Sequence, residues 1–160
     1  MSHAGVIGDA ILSQRVEFVK FEARHLLSIC ADLDSFAQNL ERFSVAYTMM
    51  DGDLPLACGG VGQLHKGVAK AWAFVSWRAK PHALPLTRMA RSMLLPACLE
   101  LKIHRLECET PLDNIRNQRW IEAMRFRMPD TGEIKRFEFD GIRKHYGTNR
   151  EDYVAYAMFF

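Results

Sequence analysis

Residues 104–128, HRLECETPLDNIRNQRWIEAMRFRM, decide the fold of this 160-residue chain because their hydrophobic period changes halfway along. Leu106 and Cys108 alternate with charged residues, which predicts a half-buried strand. Residues 110–114 break the alternation with turn and cap residues. After that, apolar side chains follow a helical spacing at Trp120, Ile121 and Met124. The stretch therefore predicts a strand, a loop and a short helix ending near Phe126, with a turn at residues 129–132.

Patterns along the rest of the chain predict further elements of both kinds. Alternating or continuous apolar runs predict strands over residues 15–22, 44–50, 54–63, 68–77, 134–139 and 151–160. Helical spacing predicts helices over residues 23–33, from the N-cap Ser35 to Phe43, and from the N-cap Thr87 onward. Asp51-Gly52-Asp53 predicts a hairpin turn, and Pro96 predicts a kink or an early end of the third helix. Residues 78–86 are expected to form a loop, and residues 1–14 a loosely ordered arm.

The central stretch resembles the fifth strand and fourth helix of the GCN5-related N-acetyltransferases, the GNAT superfamily. In that family an Asn opens the helix, which closes on a leucine-glycine-phenylalanine corner. Asn114 and Met124-Arg125-Phe126 stand at these places. With Trp120 in the middle of the helix, the stretch resembles the GNAT-like proteins of T7-like podophages in particular. The resemblance spans residues 16–158 and is most specific over residues 71–128. It implies one domain over residues 1–160, with an α/β fold: a mixed sheet of about seven strands flanked by about four helices.

Composition and charge place the chain among ordinary globular proteins. The net charge is +2, the pI is near 8.4, and 49% of the residues are hydrophobic. Lys and Arg are spread rather than clustered, which indicates a solvated surface and gives no nucleic-acid signal. No apolar run reaches the roughly 18 residues of a membrane span.

The cysteines and the N-terminal sequence indicate the compartment. The four cysteines, Cys30, Cys58, Cys98 and Cys108, lie among apolar residues without metal-ligand spacing, so we expect buried, reduced thiols. The N-terminal residues show no signal-peptide pattern. We therefore expect a cytoplasmic protein. If it is phage-encoded, this is the host cytoplasm, with the virion as the alternative.

The resemblance also implies a site for acyl-CoA, with acetyl-CoA as the expected cosubstrate. In the family, two central parallel strands, here ending near Trp77 and Thr110, splay apart and hold the cofactor between them. Backbone amides of the first strand would pair with the pantetheine, and the following segment would hold the pyrophosphate. The cofactor-binding residues implied are Phe74, Val75, Ser76, Arg78, Lys80, His82, Arg88 and Asn114. The alternative role of Asn114 is to cap the helix that follows it.

Two departures from the family pattern bear on activity. The family's pyrophosphate loop is rich in glycine, whereas residues 80–85 hold two prolines and no glycine. Each proline removes one N–H donor. Many family enzymes also carry a Tyr seven residues after the Asn, as the acid that protonates the leaving thiolate, and that position is Ile121 here. The acid role is therefore vacant.

Transfer to an amine also needs a general base. By position, the catalytic candidates are Glu109, Glu107 and His82, although a solvated carboxylate or a plain loop histidine is the alternative for each. The tryptophans, Trp72, Trp77 and Trp120, fall on core-like positions and are expected to pack. Residues 145–146 and 149–150 are polar and are candidates for an acceptor cleft. No residue pattern indicates a metal site.

Two functions from different classes follow. The first is an acyl-CoA-dependent N-acyltransferase acting on an amine of a protein or a small molecule. The second is a catalytically inactive GNAT-fold phage protein that binds and modulates a host protein or serves as a virion component. The strand context and Asn114 favour the enzyme, while the glycine-free segment and Ile121 favour the binding protein. Both leave a monomer and a dimer open.

Overall fold

A seven-stranded mixed sheet forms the centre of the structure, a computed structural model that describes residues 16–160. The arm expected at residues 1–14 lies outside the described residues. The strands of this sheet are β1 (Glu17–Lys20), β2 (Ser44–Asp51), β3 (Leu54–His65), β4 (Val68–Val75), β5 (Arg105–Pro111), β8 (Glu138–Arg143) and β9 (Tyr153–Phe159). Their order across the sheet is β1-β2-β3-β4-β5-β9-β8. Two short strands, β6 (Phe126–Arg127) and β7 (Ile134–Lys135), pair in a separate ribbon.

Four α-helices cover the sheet, as the sequence predicts: α1 (Ala23–Ile29), α2 (Asp34–Phe43), α3 (Ala83–Glu100) and α4 (Ile115–Ala123). On one face, α1 and α2 pack Leu26 and Ala37 against Phe21, Cys58 and the ring of Trp72. On the other face, a larger core joins α3 and α4 to β3, β4, β5 and β9. The expected α/β class is confirmed, because apolar faces on both sides of the sheet are covered by helices.

The first hairpin has the predicted position. β2 and β3 pair antiparallel, with Asp51 opposite Leu54. Gly52 lies between them with a φ of +57°, a conformation that glycine adopts without steric cost.

The helices of the first half differ in detail from the prediction. α1 ends at Ile29 rather than at residue 33, because Cys30 takes extended backbone angles and a turn follows. Ser35 is not an N-cap, since α2 already begins at Asp34 and no side chain caps it. The capping box lies instead on α1, where the Glu22 N–H donates to His25 Nδ1 at 3.2 Å.

The loop predicted over residues 78–86 is helical. β4 ends at Val75, a 3₁₀ helix spans Trp77–His82, and α3 follows at once from Ala83. Thr87 is therefore inside α3 and does not cap it; its hydroxyl donates to the Ala83 carbonyl at 2.8 Å. Pro85 fits because the N–H groups of a first helical turn have no partner in the helix.

Pro96 does not end α3, which continues to Glu100. Proline at this position deprives the Ser92 carbonyl of its helical donor. Ser92 and Pro96 are both exposed, so water can solvate that carbonyl.

The chain end also differs from the prediction. The single strand expected over residues 134–139 is divided between β7 and β8, with the buried Phe137 between them. Phe137 packs edge-on against Phe126, which holds this segment in the core. The predicted final strand is present as β9, antiparallel to both β5 and β8.

Candidate functional site

The two central strands separate partway along their length. β4 and β5 are parallel neighbours, as expected, and their pairing runs from Val68 opposite Arg105 to Lys70 opposite Glu107. Beyond that pair the strands continue to Val75 and Pro111 without further pairing. A gap therefore opens toward the carboxyl ends of both strands, which is where ligands bind in open α/β sheets.

A cavity of about 130 Å³ lies beside this gap, between the sheet and the helices α3 and α4. Its lining is mainly apolar. The gap contributes Ala71, Ala73, Cys108 and Thr110, and the helices contribute Met89, Met93, Trp120 and Ile121. Small side chains on β4 leave the space open, and the bulky helix residues enclose it.

The backbone of β4 offers N–H groups to the gap only at alternate residues. The Ser76 N–H donates to the Leu56 carbonyl of β3 at 2.9 Å. Because successive residues of a strand direct their N–H groups to opposite sides, Phe74 faces β3 in the same way, and Ala73 and Val75 face the gap. Of the expected cofactor-binding residues on β4, Val75 is thus the one whose amide is directed to the gap.

The segment expected to hold the pyrophosphate is the 3₁₀ helix at Trp77–His82. Its first turn is fixed by Ser76, whose hydroxyl accepts from the Arg78 N–H and whose carbonyl accepts from the Ala79 N–H. The helix thereby uses backbone donors that a glycine-rich loop would leave free for phosphate oxygens. Trp77 is 81% exposed, so the prediction that it packs in the core was wrong: β4 ends before it and the turn directs it outward.

Cationic side chains lie on the helical segments that follow β4. Arg78 and Lys80 lie on the 3₁₀ helix and Arg88 lies on α3, and all three are exposed. None of them forms an ion pair with another residue of the described range 16–160. His82 is half-buried at the junction of the 3₁₀ helix and α3. The positive charges of Arg78, Lys80 and Arg88 can attract an anion.

Of the three candidate bases, Glu109 alone lines the cavity. Its side chain is only 6% exposed and lies between two cations: Lys70 Nζ is 2.6 Å from Oε2, and Arg143 Nε is 2.7 Å from Oε1. Glu107 pairs with Arg105 at 2.6 Å on the same face of β5. The structure therefore does not bring Glu109, Glu107 and His82 together in one cluster.

The polar tip of the β8–β9 hairpin reaches this ion-pair network. Lys70 Nζ also donates to the Tyr146 hydroxyl at 3.2 Å. Burial by itself lowers the pKa of Lys70, but its hydrogen bonds to Glu109 and Tyr146 outweigh burial and raise it. Tyr146, one of the residues suggested for an acceptor cleft, thus lies on the side of the sheet opposite to the cavity helices.

Asn114 caps α4. Its side-chain oxygen accepts from the Asn117 N–H at 3.1 Å, which is the alternative role considered for it. Asn117, one turn further along, lines the cavity, whereas Asn114 does not.

The helix position at which many family enzymes carry the acidic Tyr holds the packed side chain of Ile121. Ile121 is 8% exposed and lines the cavity together with Met124. Next to it, Trp120 Nε1 donates to the Thr87 hydroxyl at 2.9 Å, which joins α4 to α3. The packing role predicted for Trp120 agrees with these contacts.

Thr110 is the residue that sequence reasoning missed. It is 3% exposed, it lines the cavity, and its hydroxyl has no hydrogen-bond partner among residues 16–160. A buried polar group without a partner is rare and calls for a ligand or a water molecule. The signal in the sequence is a hydroxyl residue on the inward-facing side of a strand, directly before the turn that ends it.

No helix within residues 16–160 is long and apolar enough to cross a membrane. The same residues contain no group of three or more His, Cys, Asp or Glu side chains placed to hold a metal ion.

Comparison with solved structures identifies the fold. An IAA acetyltransferase from Bacillus cereus ATCC 14579 is similar over 91% of this chain and 100% of its own, with 10% sequence identity and a TM-score of 0.64. Ard1 from Thermoplasma volcanium is similar over 91% of this chain and 98% of its own, with 11% identity and a TM-score of 0.67. The ribosomal-protein-S18-alanine N-acetyltransferase from Escherichia coli is similar over 89% of this chain and 92% of its own, with 16% identity and a TM-score of 0.61.

No family model and no curated protein sequence matches the chain. At these low identities the likeness shows the GNAT fold, and function has to be argued from the site.

Proposed function

We propose that this GNAT-fold protein is an acyl-CoA-dependent N-acyltransferase that transfers an acyl group, with acetyl as the reference case, to a primary amine. The observation that carries the proposal is the gap between β4 and β5. Their pairing stops at Lys70 and Glu107 although both strands continue, and a cavity of about 130 Å³ adjoins the opening. A gap of this kind admits an extended, amide-bearing chain such as pantetheine.

The proposed cofactor lies along β4. The N–H groups of Ala73 and Val75 would pair with pantetheine carbonyls, with Phe74 and Ser76 flanking them. The phosphates would lie against Arg78, Lys80, Arg88 and His82, at the positively charged mouth of the gap. Flexible cations replace part of the backbone cradle, because their charge attracts phosphate without requiring glycine.

In the proposed reaction the amine nitrogen attacks the thioester carbonyl carbon. The carbon–sulfur bond then breaks, the thiolate leaves, and the ammonium formed loses one proton. The Val75 N–H would stabilise the developing oxyanion. Glu109 is the preferred acceptor of the proton because it borders the gap, with its carboxylate on the sheet face opposite to α3 and α4, from which the amine would approach; Glu107 and His82 remain the alternatives. Glu109→Gln is then expected to lower kcat more than Glu107→Gln or His82→Gln.

The thiolate has no dedicated acid at Ile121, so water would protonate it. General acid catalysis contributes roughly 10²–10⁴-fold. We therefore expect slow but measurable transfer rather than none.

The second function is a catalytically inactive GNAT-fold protein that binds a host protein or a virion component in a phage infection. The observation that favours it is the 3₁₀ helix at Trp77–His82, which uses backbone donors in the place of a phosphate loop. Either function suits a cytoplasmic protein, because the four cysteines are free and Cys58, Cys98 and Cys108 are buried.

Thermal melting with and without CoA and acetyl-CoA distinguishes the two functions. At about 100 times its Kd, a ligand that binds only the folded state adds about 2.7 kcal/mol to the free energy of unfolding. The transferase is expected to show this shift, together with acylation of a simple amine. The absence of any shift would leave the binding function.

A charge-matched pair of variants tests the cofactor position. Arg78→Ala/Arg88→Ala is expected to reduce the shift given by CoA. Lys20→Ala/Lys66→Ala removes the same charge from β1 and from the β3–β4 turn, and is expected to leave the shift unchanged. Equal losses in both variants would indicate a general charge effect and not a phosphate site.

A further inference from the structure

We propose that the site takes an acyl group longer than acetyl, an aliphatic chain of about six carbons, which extends into the cavity beneath α3. This inference rests on the proposed function and names the substrate class of the same site. It concerns the part of the cavity that lies away from the gap between β4 and β5.

The cavity runs sideways across three strands. Ala73 of β4 lies opposite Gly59 of β3, and Gly59 lies opposite Tyr47 of β2, and all three residues line the cavity. Directly paired residues of neighbouring strands share one face of a sheet. The cavity floor therefore continues from the gap to β2, two strands beyond the position proposed for pantetheine.

The floor is made of small residues and the roof of flexible ones. Over β3 and β4 the floor consists of Ala57, Gly59, Ala71 and Ala73, so no large side chain fills the space there. The helix α3 contributes the roof, and Phe18 and Met49 close the far end. The roof residues are Leu86, Met89, Ala90, Met93 and Leu94. Methionine side chains adapt to ligands of different shape because they are unbranched and polarizable.

The volume and the lining indicate what fits. An engineered apolar cavity of about 150 Å³ binds benzene, so this cavity of about 130 Å³, which runs from the gap to β2, has room for roughly six carbon atoms with the thioester carbonyl carbon included. An acetyl group supplies only two. Among residues 16–160, Glu109 is the one charged residue in the lining, and it lies at the gap, away from the α3 roof. The far part therefore suits a hydrocarbon chain and not a charged acyl group.

The cavity opens to solvent beside the exposed Ala73, and its lining is mainly apolar. Concave apolar clefts of this kind are the usual binding places of small ligand groups. The thioester would lie where the strands separate, near Thr110, and its acyl chain would turn under α3.

The test compares the affinities of CoA, acetyl-CoA and hexanoyl-CoA for the full chain by calorimetry. Each buried methylene adds to the free energy of binding, so hexanoyl-CoA is expected to bind at least tenfold more tightly than acetyl-CoA. Equal affinities for all three would overturn the inference and leave the proposed function intact. No binding of CoA itself would overturn the proposed function.

Variants on α3 distinguish binding of the acyl chain in this cavity from non-specific hydrophobic binding of a longer chain. Ala90→Leu fills the roof and is expected to remove the preference for hexanoyl-CoA while acetyl-CoA still binds. Met93→Ala enlarges the same space and is expected to shift the preference to octanoyl-CoA. Leu99→Ala, an exposed position on the same helix, is the control and is expected to change neither. If Ala90→Leu does not fold, Met93→Ala decides alone, and an unchanged preference there contradicts the pocket.

Discussion

Lys70 Nζ lies 2.6 Å from Glu109 Oε2, and this contact joins β4 to β5 just beyond the last residue pair of their ladder. The two residues are 39 positions apart in sequence. The ion pair thus spans the base of the gap on the face opposite to the cavity helices. The separation of β4 and β5 at this point therefore depends on Lys70 and Glu109 both being charged.

Replacing Lys70 with Met is expected to destabilise the fold by about 1–2 kcal/mol, since the pair is partly buried and Glu109 keeps Arg143 as a partner. The raised pKa of Lys70 fixes the pH dependence. Its contribution is fully present below the unfolded-state pKa and is lost as the pH rises through the folded-state pKa.

Denaturant unfolding at pH 7 and at a pH above the raised folded-state pKa of Lys70, hence above the ordinary lysine value of about 10.4, checks this prediction. The difference between wild type and Lys70→Met should shrink at the higher pH. Lys135→Met, which removes the more exposed pair between Lys135 and Glu133, serves as the control and should cost less than about 0.5 kcal/mol. A Lys70→Met variant no less stable than this control would contradict the prediction.

Thr110→Val is expected to leave the ligand-free protein as stable as wild type or up to about 1 kcal/mol more stable, because it removes a buried hydroxyl that has no partner in the described part of the chain. The same change should weaken acyl-CoA binding if the hydroxyl bonds the ligand. Melting curves with and without acetyl-CoA measure both effects. A clear loss of stability without ligand would mean that an internal partner, such as a bound water, satisfies Thr110.

Asn114→Ala is expected to cost about 1 kcal/mol, the usual value for the loss of an N-cap. Asn114→Asp retains the capping oxygen and should keep the stability of wild type. Affinity for CoA then separates the two roles of Asn114. If Asp restores stability and CoA binding together, capping accounts for the residue; if it restores stability alone, the amide contacts the cofactor.

Ile121→Tyr is expected to raise the kcat of acyl transfer at least tenfold, because it places an acid group in the cavity where the thiolate would leave. The phenylalanine of Ile121→Phe has nearly the same volume as tyrosine but no hydroxyl, so this variant controls for the overpacking cost of about 1–3 kcal/mol. Steady-state rates of both variants, at equal folded fraction, make the comparison. Equal rates for Tyr and Phe would argue against thiolate protonation as the limiting step.

Protonation of His25 is expected to lower the free energy of unfolding in mild acid. Burial lowers its pKa, although the nearby Glu22 carboxylate acts in the opposite direction. His25 is 6% exposed, and its Nδ1 lies 2.9 Å from the Thr48 hydroxyl. Its contribution is present above the unfolded-state pKa of about 6.5 and is lost as the pH falls through the lower folded-state pKa.

Denaturant unfolding between pH 7.5 and pH 5 measures this effect. The decrease in stability toward low pH should be smaller in His25→Gln than in wild type. His65→Gln, at an exposed position at the end of β3, is the control and should follow wild type. Identical slopes for wild type and His25→Gln would show that another group titrates.

Most of the element order was predictable from the sequence because hydrophobic periodicity depends on near neighbours. Residues 104–128 predicted β5, the turn and the start of α4, but the helix ends at Ala123 and not near Phe126, which belongs to β6. The predictions that were wrong concern boundaries set by other parts of the chain. The apolar run over residues 68–77 predicts that Trp77 ends the strand. The hydrogen bonds of Ser76 to β3 and to Ala79 instead start a helical turn, so β4 ends before Trp77. Likewise, α3 already begins at Ala83, so Thr87 lies inside the helix, where its hydroxyl bonds Ala83 and Trp120 instead of capping.

The α/β class, the order of its elements and the lack of the family's glycine loop and tyrosine can be read from consecutive residues, because each is a local property of the chain. Only the folded chain shows where the β4–β5 ladder stops, that Glu109 lies between Lys70 and Arg143, and that Thr110 faces a cavity without a partner among residues 16–160. The physical reason is distance along the chain. These features depend on contacts between residues far apart in sequence, and no local pattern of hydrophobicity or charge records which of them will meet.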